Sequence, residues 1–282
     1  MITSQPFVPR IIEQIGLMRA CFPRAKRYNT DYLSWLYSGN PLGHPVGVHF
    51  HDNGVLKGQV AGIRQNIILK HYPIKALLLL DVAIAPSLRG QGLFLRGVAE
   101  TMELAASQGV TAIVGVANGN TYRGYEKLGF QNVTGLDAKI SLLSDYEINA
   151  MEAIDYADYF QDWTDDTLKW RMSNPLNSLS VVGGSHDTLT IEGRTDYHGL
   201  AARAEIPVLC VTMKAPSNKA PAKPSVILSL HPSGTARHRA AFSIPERLKP
   251  SPLRLIYMNL DDKRDRLDPS AILFSFLDFD PF

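Results

Sequence analysis

The chain has little of what marks several common classes. Cysteine is nearly absent: only Cys21 and Cys210 occur in 282 residues. They lie far apart with no metal-like neighbours, which reads as two buried thiols in a reducing compartment rather than a bridge. An excess of one charge is also missing, with 29 basic and 27 acidic residues and a net charge of +2. Nothing in that balance calls for a nucleic acid or a membrane surface as partner. No run approaches the roughly 18 apolar residues of a membrane span. The longest, IKALLLLDVAIA, is broken by Asp81 and reads as a buried strand. The start, MITSQPFVPRIIEQIG, lacks an apolar core behind a basic segment, so no secretory signal is expected and the cytoplasm is the default. A metal site is not expected either, because His49 and His51 share a strand face without a third ligand. No G-x-S-x-G elbow occurs and neither cysteine sits in a motif, which disfavours a covalent acyl-enzyme.

What remains is a globular composition, 45% hydrophobic and 20% charged, long enough for one large domain or two ordinary ones. Residues 9–20 have helical spacing, with Ile11, Ile12, Ile15 and Met18 on one side. Thr30 or Asp31 is placed to cap a short helix through Tyr37. VGVHFH, the turn Asp52-Asn53-Gly54 and VLKGQVAGIRQNIIL give a hairpin signal. A strand over 76–85, a helix over 92–108, the strand VTAIVGVA, a short helix over 121–128 and a strand from Phe130 follow. Antiparallel strands thus precede a strand–helix–strand unit that implies a parallel pair.

The second half repeats part of the first. Asp31/Asp166, Leu33/Leu168, Trp35/Trp170 and Ser38/Ser173 share an offset of 135 (170 − 35), and Asn40/Asn174, Pro41/Pro175 and Leu42/Leu176 follow at 134 (174 − 40). This reads as a degenerate internal repeat. SLSVVGG, DTLTIEGR and PVLCVTM then read as strands, residues 214–225 as a loop, and ILFSFLDF as a terminal strand. The division expected is 1–147 and 148–282.

Two segments carry chemistry. In DVAIAPSLRGQGLF a buried strand runs into a glycine-rich turn that opens a helix, and the amides of such a turn form a concave site for a diphosphate. A G-x-G-x-x-G fingerprint fails because its third glycine falls on Leu95, and no Gly-Lys-Ser/Thr of a Walker loop follows. About thirty residues on, NGNTYRGYEKLGF offers a tyrosine as proton donor.

Together these segments resemble the GNAT superfamily of acetyl-CoA-dependent N-acetyltransferases. The family's R/Q-x-x-G-x-G/A turn is matched at Arg89 and Gly92, while Phe94 replaces the last small residue. Its N-x-x-x-x-x-x-Y-E-K-L-G-F pattern is matched at Asn118 and at Tyr125 to Phe130. The resemblance covers residues 30–145 and implies an α/β fold: a mixed twisted sheet of the GNAT type, with a second, smaller GNAT-like or α+β domain that lacks RGQG and YEKLGF. It also implies acetyl-CoA as co-substrate and no metal. Val82, Ala83 and Ile84 would pair with the pantetheine arm after a bulge. Arg89, Gly90, Gln91, Gly92, Leu93 and Phe94 would hold the diphosphate, with Asn118 near the cofactor. Tyr125 would protonate the departing thiolate after direct attack by an amine. Asp81 is the nearest carboxylate, either catalytic base or structural anchor. The acceptor implied is an amine of a small molecule. An amino sugar, an antibiotic-like amine and a peptide N-terminus all stay open, as does a monomer or homodimer. A non-catalytic acyl-CoA sensor is the main rival. Aminoacyl transfer from charged tRNA is another, and the near-neutral charge balance argues against it.

Overall fold

The computed structural model describes residues 1–119, 121–142, 146–195, 199–209, 211–216, 223–238, 241–245 and 253–279. The first half folds as β1 (Ile2–Pro6), α1 (Ile11–Cys21), α2 (Thr30–Ser38), β2 (Val46–Asp52), β3 (Val55–Leu69), β4 (Tyr72–Ile84), α3 (Leu93–Ser107), β5 (Ala112–Ala117), α4 (Tyr122–Lys127), β6 (Gln131–Gly135) and β7 (Asp137–Ser141). Next come β8 (Tyr146–Ile148), α5 (Ala150–Tyr156), β9 (Tyr159–Gln161), α6 (Asp165–Met172), β10 (Ser180–Gly184), β11 (Thr188–Arg194), β12 (Ala201–Pro207) and β13 (Ser225–Leu230). The chain closes with β14 (Ala236–His238), β15 (Ala241–Ser243), β16 (Arg254–Asn259), β17 (Phe274–Ser275) and α7 (Phe276–Phe279). The fold class is α/β with mixed sheets, as expected.

Two compact units form, but not as consecutive segments. Residues 1–65, 74–132 and 256–266 make the first, and 66–73, 133–255 and 267–282 the second. This departs from the expected division at 147/148. The reason is β16, which lies between β5 and β6 in the order β1-β2-β3-β4-β5-β16-β6. Loop-closure entropy grows only slowly with chain length, so a distant strand can complete a sheet at small extra cost.

In the first unit, β1, β2 and β3 pair antiparallel, and β4 and β5 pair parallel. Val46, Val48 and Phe50 of β2 join Val98 and Ala105 of α3 in one buried cluster. Each of the valines and the phenylalanine contributes about 1.5–3 kcal/mol by leaving water. Helix α3 ends in paired bonds, from the Val110 N–H to the Ala105 carbonyl and from the Gly109 N–H to the Ala106 carbonyl. Two local expectations need correcting. Asn29, not Thr30 or Asp31, caps α2 by accepting from the Tyr32 N–H at 2.9 Å. The buried face of α1 is Gln14, Leu17 and Met18, whereas Ile12 is 75% exposed. Gln14 can sit inside because its carbonyl accepts from the Arg10 N–H and its amide meets His49.

The second unit repeats the pattern. Its sheet runs β10-β11-β12-β13-β7-β15, again antiparallel until a parallel β12–β13 pair. The sequence repeat has a structural counterpart. Leu33 and Leu168 are both fully buried. Asn40 accepts from the Leu42 N–H and Asn174 from the Leu176 N–H, each at 2.9 Å. The third strand of this unit is AARAEIP, however, not PVLCVTM. Alanine and charge disguise it in the sequence. Arg203 lies opposite Glu192 and Glu205 opposite Thr190, so cross-strand partners make burial of those charges tolerable. Cys210 and the middle of the expected 214–225 loop lie outside the described residues, and Cys21 is a free, partly exposed thiol.

Pairing between β12 and β13 stops after Ala202–Val226. The opening beyond is filled from within. β17 pairs with β13 through Ser229–Ser275 and Leu230–Phe274, and α7 packs on both strands. Phe274, Phe276, Leu277 and Phe279 are all buried. ILFSFLDF is therefore a two-residue strand that turns into a helix. Beside it, a cavity of about 10 Å3 has Glu205, His231 and Asp278 in its lining. Burial pushes the Asp278 carboxyl up to about 7, against hydrogen bonds from Ser275 and the charge of Arg171 that pull it down. The charged form is thus penalised only in the folded protein. The penalty is absent below the ordinary carboxylate pKa and complete above about 7. That rise sets an upper bound of roughly 4 kcal/mol on the penalty. Asp278→Asn is expected to gain thermal stability over wild type as pH rises from 5 to 8. Melting curves that stay parallel across that range would show the burial penalty to be absent.

Candidate active site

The site begins where the first sheet comes apart. Parallel β4–β5 pairing runs from Ala76–Ala112 to Leu79–Gly115 and stops. Five further residues of β4 (84 − 79) and two of β5 (117 − 115) have no partner across the gap. Two residues past the last pair, Asp81 has φ +50, a left-handed backbone within a strand. That conformation costs a non-glycine residue about 1–2 kcal/mol unless its surroundings hold it.

Here they do. The Tyr28 hydroxyl donates to Asp81 Oδ1 at 3.1 Å and the Tyr37 hydroxyl to Oδ2 at 2.9 Å. Gln59 Nε2 donates to the Tyr37 hydroxyl oxygen at 2.9 Å and to the Asp81 carbonyl at 3.2 Å. The Arg27 guanidinium hydrogen-bonds Tyr28 and lies over the Tyr28 and Tyr32 rings at 5.8 and 5.3 Å. Burial, then the Asp81 charge, raises the pKa of both tyrosines, so they stay protonated as donors. Of its two expected roles, Asp81 has the geometry of the anchor.

Beyond the gap, β4 leads through Pro86–Leu88 into the turn Arg89-Gly90-Gln91-Gly92, which opens α3. Gly90 and Gly92 have φ of +79 and +74, and an added Cβ would meet nothing within 4 Å at either. The backbone there is left-handed and open. Among the described residues, no acceptor takes the N–H of Gly90, Gln91, Gly92, Leu93, Phe94 or Leu95, and no side chain caps the helix. These amides sit at the positive end of a fifteen-residue helix, a ready anion site. A pocket of about 260 Å3 lies against them, lined by Ile84, Leu88, Arg89, Gly90, Gly92, Leu93, Phe94 and Leu95. Arg89 is exposed at the rim, with Nε donating to the Ile84 carbonyl at 3.3 Å. The unclaimed amides and open glycines fit the diphosphate of a coenzyme A thioester.

Tyr125, on α4, is buried and packs edge-on against Phe94 at 5.1 Å and Phe130 at 5.3 Å. It therefore sits one ring behind the pocket wall. Burial pushes its hydroxyl above the usual phenol range, and among the described residues that hydroxyl has no hydrogen bond.

Neither a protein-family model nor any curated protein matches the sequence. Solved structures do match the fold. A conserved protein of Enterococcus faecalis V583, described as a probable N-acyltransferase, superposes with a TM-score of 0.60 over 93% of this chain and 73% of its own, at 12% identity. GCN5-related N-acetyltransferases from Kribbella flavida (TM-score 0.59, 11% identity, 93% and 71% covered) and Anabaena variabilis ATCC 29413 (0.57, 13%, 92% and 73%) behave alike. The chain has the GNAT fold. The superposition covers residues of both units.

Within this GNAT fold, Ile84, Arg89, Gly90, Gly92, Leu93 and Phe94 gather at one pocket. Gln91 is exposed beside it, and Val82 and Ala83 lie on the unpaired edge of β4. Asn118 is exposed and opens α4, where its side chain accepts from the Thr121 N–H at 3.1 Å. It does not line the pocket. His49 faces α1, and burial, then His51 and Arg10, lower its pKa to about 4, so it is neutral and structural. His71 lies in the β3–β4 turn, away from the gap. Sequence reasoning missed Arg27, Tyr28, Tyr37 and Gln59, whose partners are far along the chain. It also missed Gly124, whose position inside a helix was a usable signal of close packing.

A Cβ at Gly124 would meet Phe94 Cε1 at 2.5 Å, so this glycine makes room for the large residue that departs from the family's turn. Gly124→Ala is expected to cost about 1–3 kcal/mol by overpacking. Adding Phe94→Leu should recover much of it in a double-mutant cycle by denaturant unfolding. Additive losses would mean the two positions do not share space.

Proposed function

We propose that this protein transfers an acetyl group from acetyl-CoA to an amine of a small molecule by direct attack. The reading rests on the row of unclaimed amides from Gly90 to Leu95 beside the unpaired edge of β4. Acetyl-CoA supplies an acyl group already activated as a thioester. The amides and the α3 dipole hold its diphosphate, Arg89 adds charge at the rim, and Val82–Ile84 offer backbone groups to the pantetheine arm. Amides of that same edge are placed to polarise the carbonyl oxygen. Asp81 holds the left-handed turn of β4 beyond which the edge is free. In this reading Tyr125 gives its proton to the departing sulfur, and the proton that the attacking nitrogen sheds passes through solvent and restores the phenol. Burial keeps its phenol protonated at neutral pH, and the same burial raises a thiol that leaves beside it, so donor and acceptor stay matched. Among the described residues the second unit has neither a glycine turn nor an unfilled fork, so the reading takes one cofactor per chain.

Calorimetry with coenzyme A is expected to give one site per chain. Gly92→Val should fold and weaken that binding by about tenfold or more, because a side chain there crowds the amide cradle. Heat of binding that is absent, or unchanged by Gly92→Val, would remove the reading. Tyr125→Phe should keep binding and lower kcat on the order of 10²–10⁴-fold in a thiol-release assay. A sensor of acyl-CoA would bind the same ligand and release no thiol with any amine.

A further inference from the structure

Two groups that the acyl-transfer reading uses lie on different helices: the amides that take the diphosphate, at the start of α3, and the phenol that gives the proton, on α4. One residue belongs to both. The Phe94 N–H is among the unclaimed donors at the start of α3. Its half-buried side chain lines the pocket beside them and is the aromatic residue in that lining. The same ring packs edge-on against Tyr125, with centroids 5.1 Å apart and planes at 73°. Tyr125 does not itself line the pocket, so Phe94 stands between the two.

The contact has little slack. A Cβ at Gly124 would meet Phe94 Cε1 at 2.5 Å and Cδ1 at 3.1 Å, so the Phe94 ring is held between the backbone of α4 and the Tyr125 ring. Phe130 stands against Tyr125 as well, at 5.3 Å and 64°, and its N–H donates to the Tyr125 carbonyl at 3.1 Å. The Tyr125 hydroxyl makes no hydrogen bond among the described residues. Packing, rather than hydrogen bonding, therefore places this phenol. A general acid must stand within hydrogen-bond reach of the atom it protonates, and a misplacement of about 1 Å can cost on the order of 10²-fold in rate.

Resting on the acyl-transfer reading, we infer that Phe94 is a positioning residue for Tyr125: its ring sets the phenol while its own amide stands in the diphosphate cradle, so that occupation of the cradle and placement of the acid are coupled. A small side chain at this position would leave the amide in the cradle and lose the coupling. Gly124 is the counterpart that makes room for the ring.

The thiol-release assay separates this role from plain packing. Phe94→Ala is expected to lower kcat on the order of tenfold or more, with KM for acetyl-CoA within about twofold of wild type. In a Tyr125→Phe background the same substitution should change kcat little, because a residue that acts through the phenol has nothing left to place. Phe94→Leu, which keeps most of the volume, should show the same pattern more weakly and serves where Phe94→Ala does not fold. Equal losses in both backgrounds, an unchanged kcat, or a loss confined to KM would make Phe94 a packing or cradle residue and overturn the inference with acyl transfer intact. A Tyr125→Phe variant with full kcat removes the acid, and this inference with it. Should coenzyme A bind and no amine turn over, the ring resonance of isotope-labelled Tyr125, assigned by its loss in Tyr125→Phe, decides. The probe is 3′-phospho-ADP, the diphosphate end of the coenzyme without its arm, which should shift that resonance in the wild-type protein and not in Phe94→Leu. No shift in wild type, or the same shift in both, sinks the proposal. Absence of any coenzyme A binding removes the acyl-transfer reading itself, and the role of Phe94 with it.

Discussion

The fold-wide constraint behind the site is a strand that stops pairing. Past Leu79, β4 no longer bonds β5, and the residue that turns it away is Asp81, in a backbone conformation unfavourable for its type. Two tyrosine hydroxyls and one glutamine amide hold it there, from α2, the loop before it and β3. A half-buried carboxylate with two charge-assisted donors offsets the cost of one strained residue. Because the knot draws on three separate elements, the gap is a property of the packed unit rather than of the strand. The free edge of β4 and the pocket beside it follow from that separation.

The second unit shows the same architecture used differently. It keeps the capped helix, the asparagine turn and the parallel pair that ends early. Where the first unit has a glycine turn and α3 after β4, the described residues from 208 to 224 contain no helix. Where the first unit has a pocket, the second has its own phenylalanines. An open fork exposes unpaired backbone and apolar surface, which is tolerable only if a ligand or the chain itself covers it. Filling by β17 and α7 is a local solution that needs no cofactor. The apolar wedge still traps a carboxyl, Asp278, whose raised pKa records how little water reaches that place.

Much of this was legible in the sequence because it is written in residues close together. The turn at 89–92, YEKLGF and the α2/α6 repeat each occupy a short window, and each turned up as the element expected. The failures share one cause. β12 reads as a helix-former with charges until Glu192 and Thr190 are set opposite it. Ile12 looks like core until α1 is placed on the sheet. β16 has no meaning as a neighbour of β5 until the chain has folded, since 136 residues separate the two (254 − 117 = 137 positions).

The sequence by itself determined which chemistry was available: a glycine turn at a helix start, a tyrosine in a recognisable frame, and a second copy without either. Local steric rules and helix-terminus electrostatics act over a few residues, so a linear text can carry them. Only the tertiary structure decided what the carboxylate of Asp81 does and which ring shares space with Gly124. Those outcomes depend on which distant groups are brought within hydrogen-bond or van der Waals reach, and that contact is created by burial of the common core.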